Sequence, residues 1–209
     1  MKTQILGDGV AAMMLASHAD ELPNHEISIV HPTGAPITRD HMLGFWKMDG
    51  LEMAVESSRT SWSKWAIITD GNKSVMHSDK HAYHIMHKAN YLHNCREKAI
   101  QHGVKFIEES EMISSKSAQT FDSRPPRASK NAMLQHFLGQ EVEVDKPVFD
   151  PSTAILMDFR VDQSKGMHFM YLLPYSPTQA LVESTLFTTT VLERQFYVDA
   201  INEHLRDHY

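Results

Sequence analysis

Two carboxylates in strand-like segments near the end of the chain are of the residue type that transfers protons. Glu183 lies in the segment Gln179 to Phe187, where alternation places it on one face with Leu181 and Thr185. If that face borders a closed pocket, desolvation raises the pKa of Glu183, and a carboxylic acid that is protonated near neutral pH can act as a general acid. On the residues alone, an exposed strand carboxylate is the simpler interpretation.

The second carboxylate, Asp158, lies in the segment Ala154 to Val161, two residues before Arg160. Alternation places Asp158 and Arg160 on the same face of this strand, opposite a wholly apolar face. One interpretation is an ion pair between these two side chains. The other is that Asp158 tunes or orients a neighbouring catalytic acid.

The N-terminal segment Gly7-Asp8-Gly9-Val10-Ala11-Ala12 fits the pattern G-x-G-x-x-A. It follows the apolar run Thr3 to Leu6 and opens a predicted helix from Val10 to His18, which is the order that a dinucleotide-binding fold requires. Glycines permit the tight turn and a close approach of the backbone to a pyrophosphate, and the helix N-terminus favours its negative charge. A purely structural turn is the alternative. The candidate cofactor-binding residues of the turn are Gly7, Asp8, Gly9, Ala11 and Ala12.

A second predicted strand, Glu26 to Val30, is followed by His31. At this point the dinucleotide-binding pattern normally has a Glu or Asp that holds the ribose hydroxyls. His31 is therefore a candidate cofactor-binding residue that departs from the pattern.

The remaining pattern predicts an α/β chain whose second part is an antiparallel meander. A long helix is predicted from Ala82 to His102, and Arg124-Pro125-Pro126-Arg127 interrupts regular structure. We therefore expect domains at residues 1–125 and 126–209. The other predicted elements are strands at Trp62 to Thr69, Lys73 to His77, Val104 to Ile107, Ala154 to Val161, Met167 to Leu173 and Gln179 to Phe187, and a final helix opened by a capping box from Thr190 to Glu193.

The composition of the chain limits the partners and the cellular compartment that we expect for the protein. Lys and Arg number 20 against 26 Asp and Glu, giving a net charge of −6 that disfavours nucleic acid as a partner. The 14 histidines are scattered, and we expect no metal site. The single cysteine, Cys95, excludes an intrachain disulfide and fits a reducing compartment. Asp8 interrupts the apolar N-terminus, which argues against a signal peptide, and no window is apolar enough to span a membrane.

Several segments, in order, resemble the flavin-dependent lycopene cyclases, particularly the bacterial beta-cyclases. GDGVAA resembles the flavin-binding turn, the segment from Arg39 to Trp46 is similar to a family segment that ends in an aromatic pair, and FDSRPP resembles a D-x-R element. The most specific segments are LQHFLGQEVE, KPVFDPSTAILMDFRVDQ, FMYLLPY and ALVESTLF, which together extend from Leu134 to Phe187.

The resemblance implies a Rossmann-like FAD-binding fold interwoven with an antiparallel substrate sheet. It also implies a reaction without net oxidation or reduction, in which the acyclic ends of lycopene close into beta-ionone rings after protonation. Glu183 is the expected proton donor and Asp158 the second candidate, while Arg39 joins the expected cofactor-binding residues. Reduced FAD, generated with NAD(P)H, would stabilise the carbocation by its negative charge.

The family's members are considerably longer than this chain, so we expect a missing part that a second polypeptide could supply. Lycopene resides in lipid, which implies a cytoplasmic protein at the membrane surface. Two other functions remain open. One is a different FAD-dependent monooxygenase or reductase of an isoprenoid, and the other is a non-catalytic carotenoid-binding remnant.

Overall fold

The computed structural model describes residues 1–34, 40–112, 118–126, 129 and 132–209. The chain forms two compact units, each assembled from separate segments. The first contains Met1–Gly44, Asp49–Arg59 and Ile85–Arg127, and the second contains Phe45–Met48, Thr60–His84 and Ala128–Tyr209. The second unit therefore includes two segments that precede the boundary expected between residues 125 and 126.

The first unit is built on a parallel sheet of four strands. These are β1 (Lys2–Leu6), β2 (Glu26–His31), β8 (Lys105–Glu108) and β9 (Ala118–Asp122), in the spatial order β8-β2-β1-β9. The chain moves outward from β1 to β2 and β8 and then returns to the other side of β1 with β9. The sheet therefore reverses its strand order between β1 and β9, as in Rossmann-type folds.

Helices cover this sheet because they present small or apolar residues to it. Helix α1 (Val10–Ser17) buries Ala12, Met13 and Ala16, and it packs against α3 (Lys88–Gln101), which buries Tyr91, Cys95 and Ala99. A short helix, α2 (Glu52–Glu56), also contacts α3, where Cys95 Sγ lies 3.5 Å from Met53 Sδ. Gly103, at φ +78°, follows α3 and allows the chain to turn into β8.

The second unit is built on a six-stranded, mainly antiparallel sheet. Its strands are ordered β10-β13-β12-β11-β5-β6, and the predicted meander is confirmed as β11, β12 and β13. Only β11 and β5 run parallel to each other. The bounds are β5 (Lys64–Thr69), β6 (Asn72–His77), β10 (Leu134–Glu143), β11 (Thr153–Asp158), β12 (Met167–Pro174) and β13 (Gln179–Thr188).

One face of this sheet packs against the last helix, α4 (Arg194–His208). The core on this face joins Ile201 of α4 to Met170, Leu172, Ala180 and Val182 of the sheet. Near the start of α4, the Tyr197 hydroxyl lies 2.6 Å from His136 Nδ1. The capping box predicted at Thr190 does not form, because α4 begins only at Arg194 and its N-cap, Glu193, makes no side-chain capping bond.

The helix predicted from Ala82 to His102 is wrong in its first turns. Residues Tyr83–His87 form a strand, β7, and α3 begins at Lys88. Strand β7 lies at the centre of a three-stranded sheet with β3 (Met42–Trp46) and β4 (Ser58–Trp62). Three consecutive buried residues, His84, Ile85 and Met86, fit a central strand that is covered on both faces, a pattern that the helical spacing of Ile85, Met86 and Ala89 obscured.

With a parallel α/β sheet in one unit and a mainly antiparallel sheet in the other, the expected fold class is confirmed. Strand β10, like β3, β4, β7 and β9, was not predicted from the sequence pattern. Its side chains alternate in exposure along ten residues, but Gly139 in its middle and Glu and Gln at its end weaken the strand signal in the sequence.

Candidate nucleotide turn and carboxylic acid site

The glycine turn lies at the carboxyl end of β1, beside the point where the strand order reverses. Gly7 has φ +98°, and its amide donates to the Val30 carbonyl at 3.0 Å. A Cβ at Gly7 would lie 2.7 Å from Ser123 Oγ, too close for any side chain. Ser123 itself is held by two bonds to the Leu6 carbonyl, from its amide at 3.0 Å and its hydroxyl at 2.8 Å. Glycine is therefore required at this position by both conformation and space.

Gly9 leaves open space beside the start of α1. It is the N-cap of α1, has an extended backbone, and has no atom within 4 Å of an added Cβ. The first helical hydrogen bond runs from the Met13 amide to the Gly9 carbonyl at 2.9 Å. The amides of Val10, Ala11 and Ala12 precede that bond and need partners outside the helix. Amides at a helix N-terminus and an open surface beside them fit a phosphate group.

His31 stands at the carboxyl end of β2, next to Asp8. His31 Nδ1 lies 2.7 Å from Asp8 Oδ2, and about half of each side chain is exposed. A cavity of about 410 Å³ is bordered by these two residues together with Arg96, Phe106 and Glu108. The Arg96 guanidinium lies 3.8 Å from the centre of the Phe106 ring. A carboxylate is therefore present next to His31, but it comes from Asp8 of the glycine turn and not from the residue after the second strand.

The structure brings Gly7, Asp8, Gly9, Ala11, Ala12 and His31 together at one edge of the parallel sheet. Arg39, the remaining predicted cofactor-binding residue, lies outside the described residues. The sequence analysis did not place Ser123 and Arg124 at this edge as site residues, although the segment FDSRPP, which begins in the last two residues of β9, carries the signal. Arg124 forms a two-bond ion pair with Asp122, at 2.9 and 2.8 Å, which lowers the pKa of Asp122 to about 2.

Glu183 lies on the face of the second unit's sheet that is opposite to α4. Its direct neighbours across the sheet are Tyr171 on β12 and Gly139 on β10. Burial raises the pKa of Glu183 to about 7, and a hydrogen bond from the Thr185 hydroxyl at 3.0 Å opposes that rise. A large fraction of Glu183 is therefore protonated near neutral pH, the state that general-acid chemistry requires.

Aromatic side chains pack against Tyr171 and Tyr83, the two tyrosines that interact with Glu183. Burial, reinforced by the charge of Glu183, raises the pKa of both Tyr171 and Tyr83, so both phenols are neutral at pH 7. Tyr171 packs edge-on against Phe169, with ring centres 5.3 Å apart. Tyr83 packs against Trp46 at 5.0 Å, and Trp46 packs against Trp65 at 4.6 Å. A carboxylic acid beside aromatic side chains suits an apolar ligand on which positive charge develops.

Asp158 lies on the other face of the same sheet. It pairs with Met170 across the sheet, whereas Glu183 pairs with Tyr171, the next residue along β12, so the two carboxylates point to opposite faces. A β-bulge between Ile155 and Asp158 shifts the alternation that the sequence indicated. The structure therefore does not support the prediction that Asp158 orients Glu183 directly.

Asp158 is instead fully buried in an ion pair with Arg160. The guanidinium donates to its two oxygens at 2.9 and 2.6 Å, and the Arg160 amide donates at 3.1 Å. Burial alone would raise the pKa of Asp158, but these hydrogen bonds outweigh it and hold the pKa below its usual value. His204 Nε2 of α4 lies 3.4 Å from Asp158 Oδ2. Among the described residues, no cluster of His, Cys, Asp and Glu has a geometry that could hold a metal ion.

The fold and the glycine turn define the first unit as a Rossmann-like α/β structure. Solved structures agree: 99% of the chain aligns with a geranylgeranyl bacteriochlorophyll reductase-like protein from Thermoplasma acidophilum at 10% identity and a TM-score of 0.65, covering 62% of that protein. A flavin-dependent halogenase from Xanthomonas campestris aligns with 97% of the chain at 10% identity and a TM-score of 0.64, covering 58% of the halogenase.

The chain belongs to the lycopene cyclase protein family, whose model it matches over residues 3–209. It is 41% identical over 69 residues to a lycopene beta-cyclase of Paracoccus sp., a match covering 32% of this chain and 18% of that protein. It is 47% identical over 52 residues to the lycopene beta-cyclase of Pantoea ananas, covering 25% and 13%. The matched segments thus span less than a fifth of these curated relatives.

Proposed function

We propose that this chain carries the acid and the nucleotide-binding turn of a flavin-dependent lycopene beta-cyclase. The observation that carries the proposal is the position of Glu183 beside Tyr171 on the sheet face opposite to α4, where burial raises its pKa to about 7. Family membership supports the substrate class, because the matched model is that of lycopene cyclases.

In the proposed reaction, Glu183 donates its proton to the terminal double bond of lycopene. The carbocation that results is attacked by the neighbouring double bond, which forms the ring carbon–carbon bond. Loss of a proton from the ring cation gives the neutral product, and uptake of one proton by the Glu183 carboxylate restores the acid. The substrate and product are isomers, so no oxidant or reductant is consumed. The neutral rings of Tyr171 and Tyr83 would exclude water and face the cation with their π-electrons.

The amides of Val10, Ala11 and Ala12 would hold the pyrophosphate of FAD, and Asp8 would accept from the ribose hydroxyls. Reduced FAD, when bound, would supply negative charge that stabilises the cation. We propose NAD(P)H as the source of its electrons. The open surface at Gly9 and the amides at the N-terminus of α1 support this assignment of the cofactor-binding residues.

We also propose that the protein works at the surface of a membrane, because its substrate is lipid-soluble. Among the described residues, no helix is long and apolar enough to cross a bilayer. Phe137 and Met167 are about half exposed on the Glu183 face of the sheet and support contact with an apolar phase. We also propose that a second polypeptide completes the fold.

The test is expression in cells that accumulate lycopene, followed by chromatography of the pigments and a flavin spectrum of the purified protein. We expect beta-carotene or a one-ring product, bound FAD, and loss of conversion with retained flavin in Glu183→Gln. Asp158→Asn would reveal whether the second carboxylate contributes to the reaction. Unchanged conversion by Glu183→Gln would refute the assigned role, and stoichiometric consumption of NAD(P)H would instead select a flavin-dependent reductase or monooxygenase.

A further inference from the structure

The two oxygens of Glu183 have different surroundings. The Thr185 hydroxyl donates to Oε1 at 3.0 Å, and Thr185 is fully buried two residues further along β13 on the same face. A hydroxyl that donates to Oε1 makes this atom the acceptor, carbonyl-like oxygen of the protonated acid. The acidic proton then belongs on Oε2.

Oε2 faces the one position across the sheet that has no side chain. Gly139 is the direct partner of Glu183 on β10, and a Cβ added there would lie 3.5 Å from Oε2 and 3.3 Å from Leu181 Cδ1. Gly139 is exposed and does not have a positive φ, so its backbone conformation is open to any residue. What its lack of a side chain provides is space directly beside Oε2.

We propose that Thr185 and Gly139 determine which oxygen of Glu183 delivers the proton and from which side the alkene approaches. Thr185 is a positioning residue that fixes Oε1, and Gly139 leaves the gap through which the terminal double bond reaches Oε2. This inference rests on the proposed function, since it assigns the geometry of the same proton transfer.

Among the described residues, the causes of the pKa shift of Glu183 are burial and the Thr185 hydroxyl, and no charged side chain is one of them. Tyr171 on β12 and Tyr83 on β7 are neutral phenols, and Glu141 lies two residues beyond Gly139 on β10, where it is exposed. The hydrogen bond from Thr185 is the interaction that lowers the pKa of Glu183 against the effect of burial. Removing this donor should therefore raise the pKa of Glu183 and leave its two oxygens equivalent.

The first test replaces Thr185 by Val, which keeps the shape and removes the hydroxyl, with Thr185→Ser as the matched control. The infrared carbonyl band of protonated Glu183, assigned by its absence in Glu183→Gln, is titrated in the purified protein. We expect the midpoint in Thr185→Val to rise by about one unit and to return in Thr185→Ser. Conversion of lycopene should fall about tenfold or more in Thr185→Val because the proton is no longer directed.

The second test is Gly139→Val, which fills the gap beside Oε2. A β-branched residue favours a strand, so β10 should be retained. We expect loss of conversion by at least about tenfold while the carbonyl band of Glu183 persists. Gly71→Val, in the turn between β5 and β6 where an added Cβ meets nothing within 4 Å, is the control and should convert lycopene normally.

An unchanged midpoint in Thr185→Val, or full conversion by Gly139→Val, would overturn the inference. If Thr185 had only a structural role, Thr185→Val would lower the yield of folded protein and leave the midpoint of the carbonyl titration unchanged. Full conversion of lycopene by Glu183→Gln would instead refute the proposed function. That variant retains Thr185 and Gly139, so its result is independent of the other two tests. The two failures are therefore distinguishable.

Discussion

At the scale of single residues, the central feature is a carboxyl group whose neutral form is stabilised by its surroundings. Glu183 has a pKa of about 7 because burial penalises its charge more than the Thr185 hydroxyl favours it. In the unfolded chain, the same group ionises near 4.5. The folded protein thus binds more protons than the unfolded chain between these two values, and its stability depends on pH.

The sign of this dependence follows from linkage. Stability is fully present below pH 4.5 and is lost as the pH rises through 7, by up to about 3 kcal/mol. We expect Glu183→Gln, which is neutral at every pH, to be more stable than the parent at pH 8 by up to this amount and nearly equal to it at pH 4. Urea unfolding at the two pH values measures the difference, and a gap that does not vary with pH would contradict the burial of this carboxyl group.

The two glycines of the nucleotide turn provide a matched pair of substitutions. Gly7→Ala meets Ser123 Oγ at 2.7 Å and adopts φ +98°, so we expect a loss of stability of about 2 kcal/mol or more. Gly9→Ala meets no atom within 4 Å and should cost under about 1 kcal/mol. Both should bind flavin more weakly, Gly9→Ala because its methyl group occupies the open surface beside the α1 amides.

Thermal unfolding and flavin titration of both variants separate the two effects. Equal stability losses would mean that the contact with Ser123 is not the constraint on Gly7. Undiminished flavin affinity in Gly9→Ala would mean that the phosphate groups do not approach the turn at this glycine.

At the scale of elements, helix α4 is attached to the sheet through a buried histidine. His204 packs against Asp158, and its surroundings also include Arg160 and His208. Burial lowers the pKa of His204 to about 4, and the attraction of Asp158 offsets only part of that effect. The ring is therefore neutral at pH 7, and its contact with Asp158 is not an ion pair at that pH.

This histidine makes α4 sensitive to acid. The unfolded chain takes up a proton near pH 6.5 and the folded protein only near 4, so stability present above 6.5 is lost as the pH falls towards 4, by up to about 3 kcal/mol. We expect His204→Gln to show a flatter acid limb in denaturant unfolding between pH 7 and 4. His93→Gln, exposed on α3, is the control and should keep the limb of the parent. An unaltered limb in His204→Gln would contradict this account.

At the scale of the whole molecule, the net charge and the exposed apolar residues give opposite expectations for binding to a membrane surface. A net charge of −6 gives no general attraction to anionic lipid, so contact with a bilayer has to come from apolar side chains. Phe137 and Met167 are 52% and 49% exposed on the face that carries Glu183.

We expect the protein to co-sediment with phosphatidylcholine vesicles, and this binding should persist in about 0.5 M salt, which screens the attraction between charges. Binding should fall severalfold in the double variant Phe137→Ser, Met167→Ser. Val75→Ser, which is equally exposed on the edge strand β6, is the matched control and should bind as the parent does. Binding that salt abolishes, or that the double variant retains, would contradict contact through these side chains.

The amino-acid sequence was sufficient to predict the features whose cause is local. The glycine turn, α1 and the strands on either side follow from glycine placement and short apolar runs, and the meander follows from alternation between turns. The sequence also identified Glu183 as a candidate acid, through its position between apolar neighbours and through the family resemblance. It did not determine β7, whose apolar residues satisfy helical and strand spacing alike, or β10, where Gly139 and polar residues weaken the signal.

Other features depend on contacts between segments that are distant in the chain, and these required the folded structure. The bulge before Asp158 reverses its face, so that Asp158 meets α4 while Glu183 points the other way. Ser123, more than a hundred residues after Gly7, explains why that glycine cannot carry a side chain. Burial of Glu183 among Tyr171 and Tyr83 raises its pKa to about 7. Desolvation depends on every group that surrounds a side chain, and only the folded chain brings those groups together.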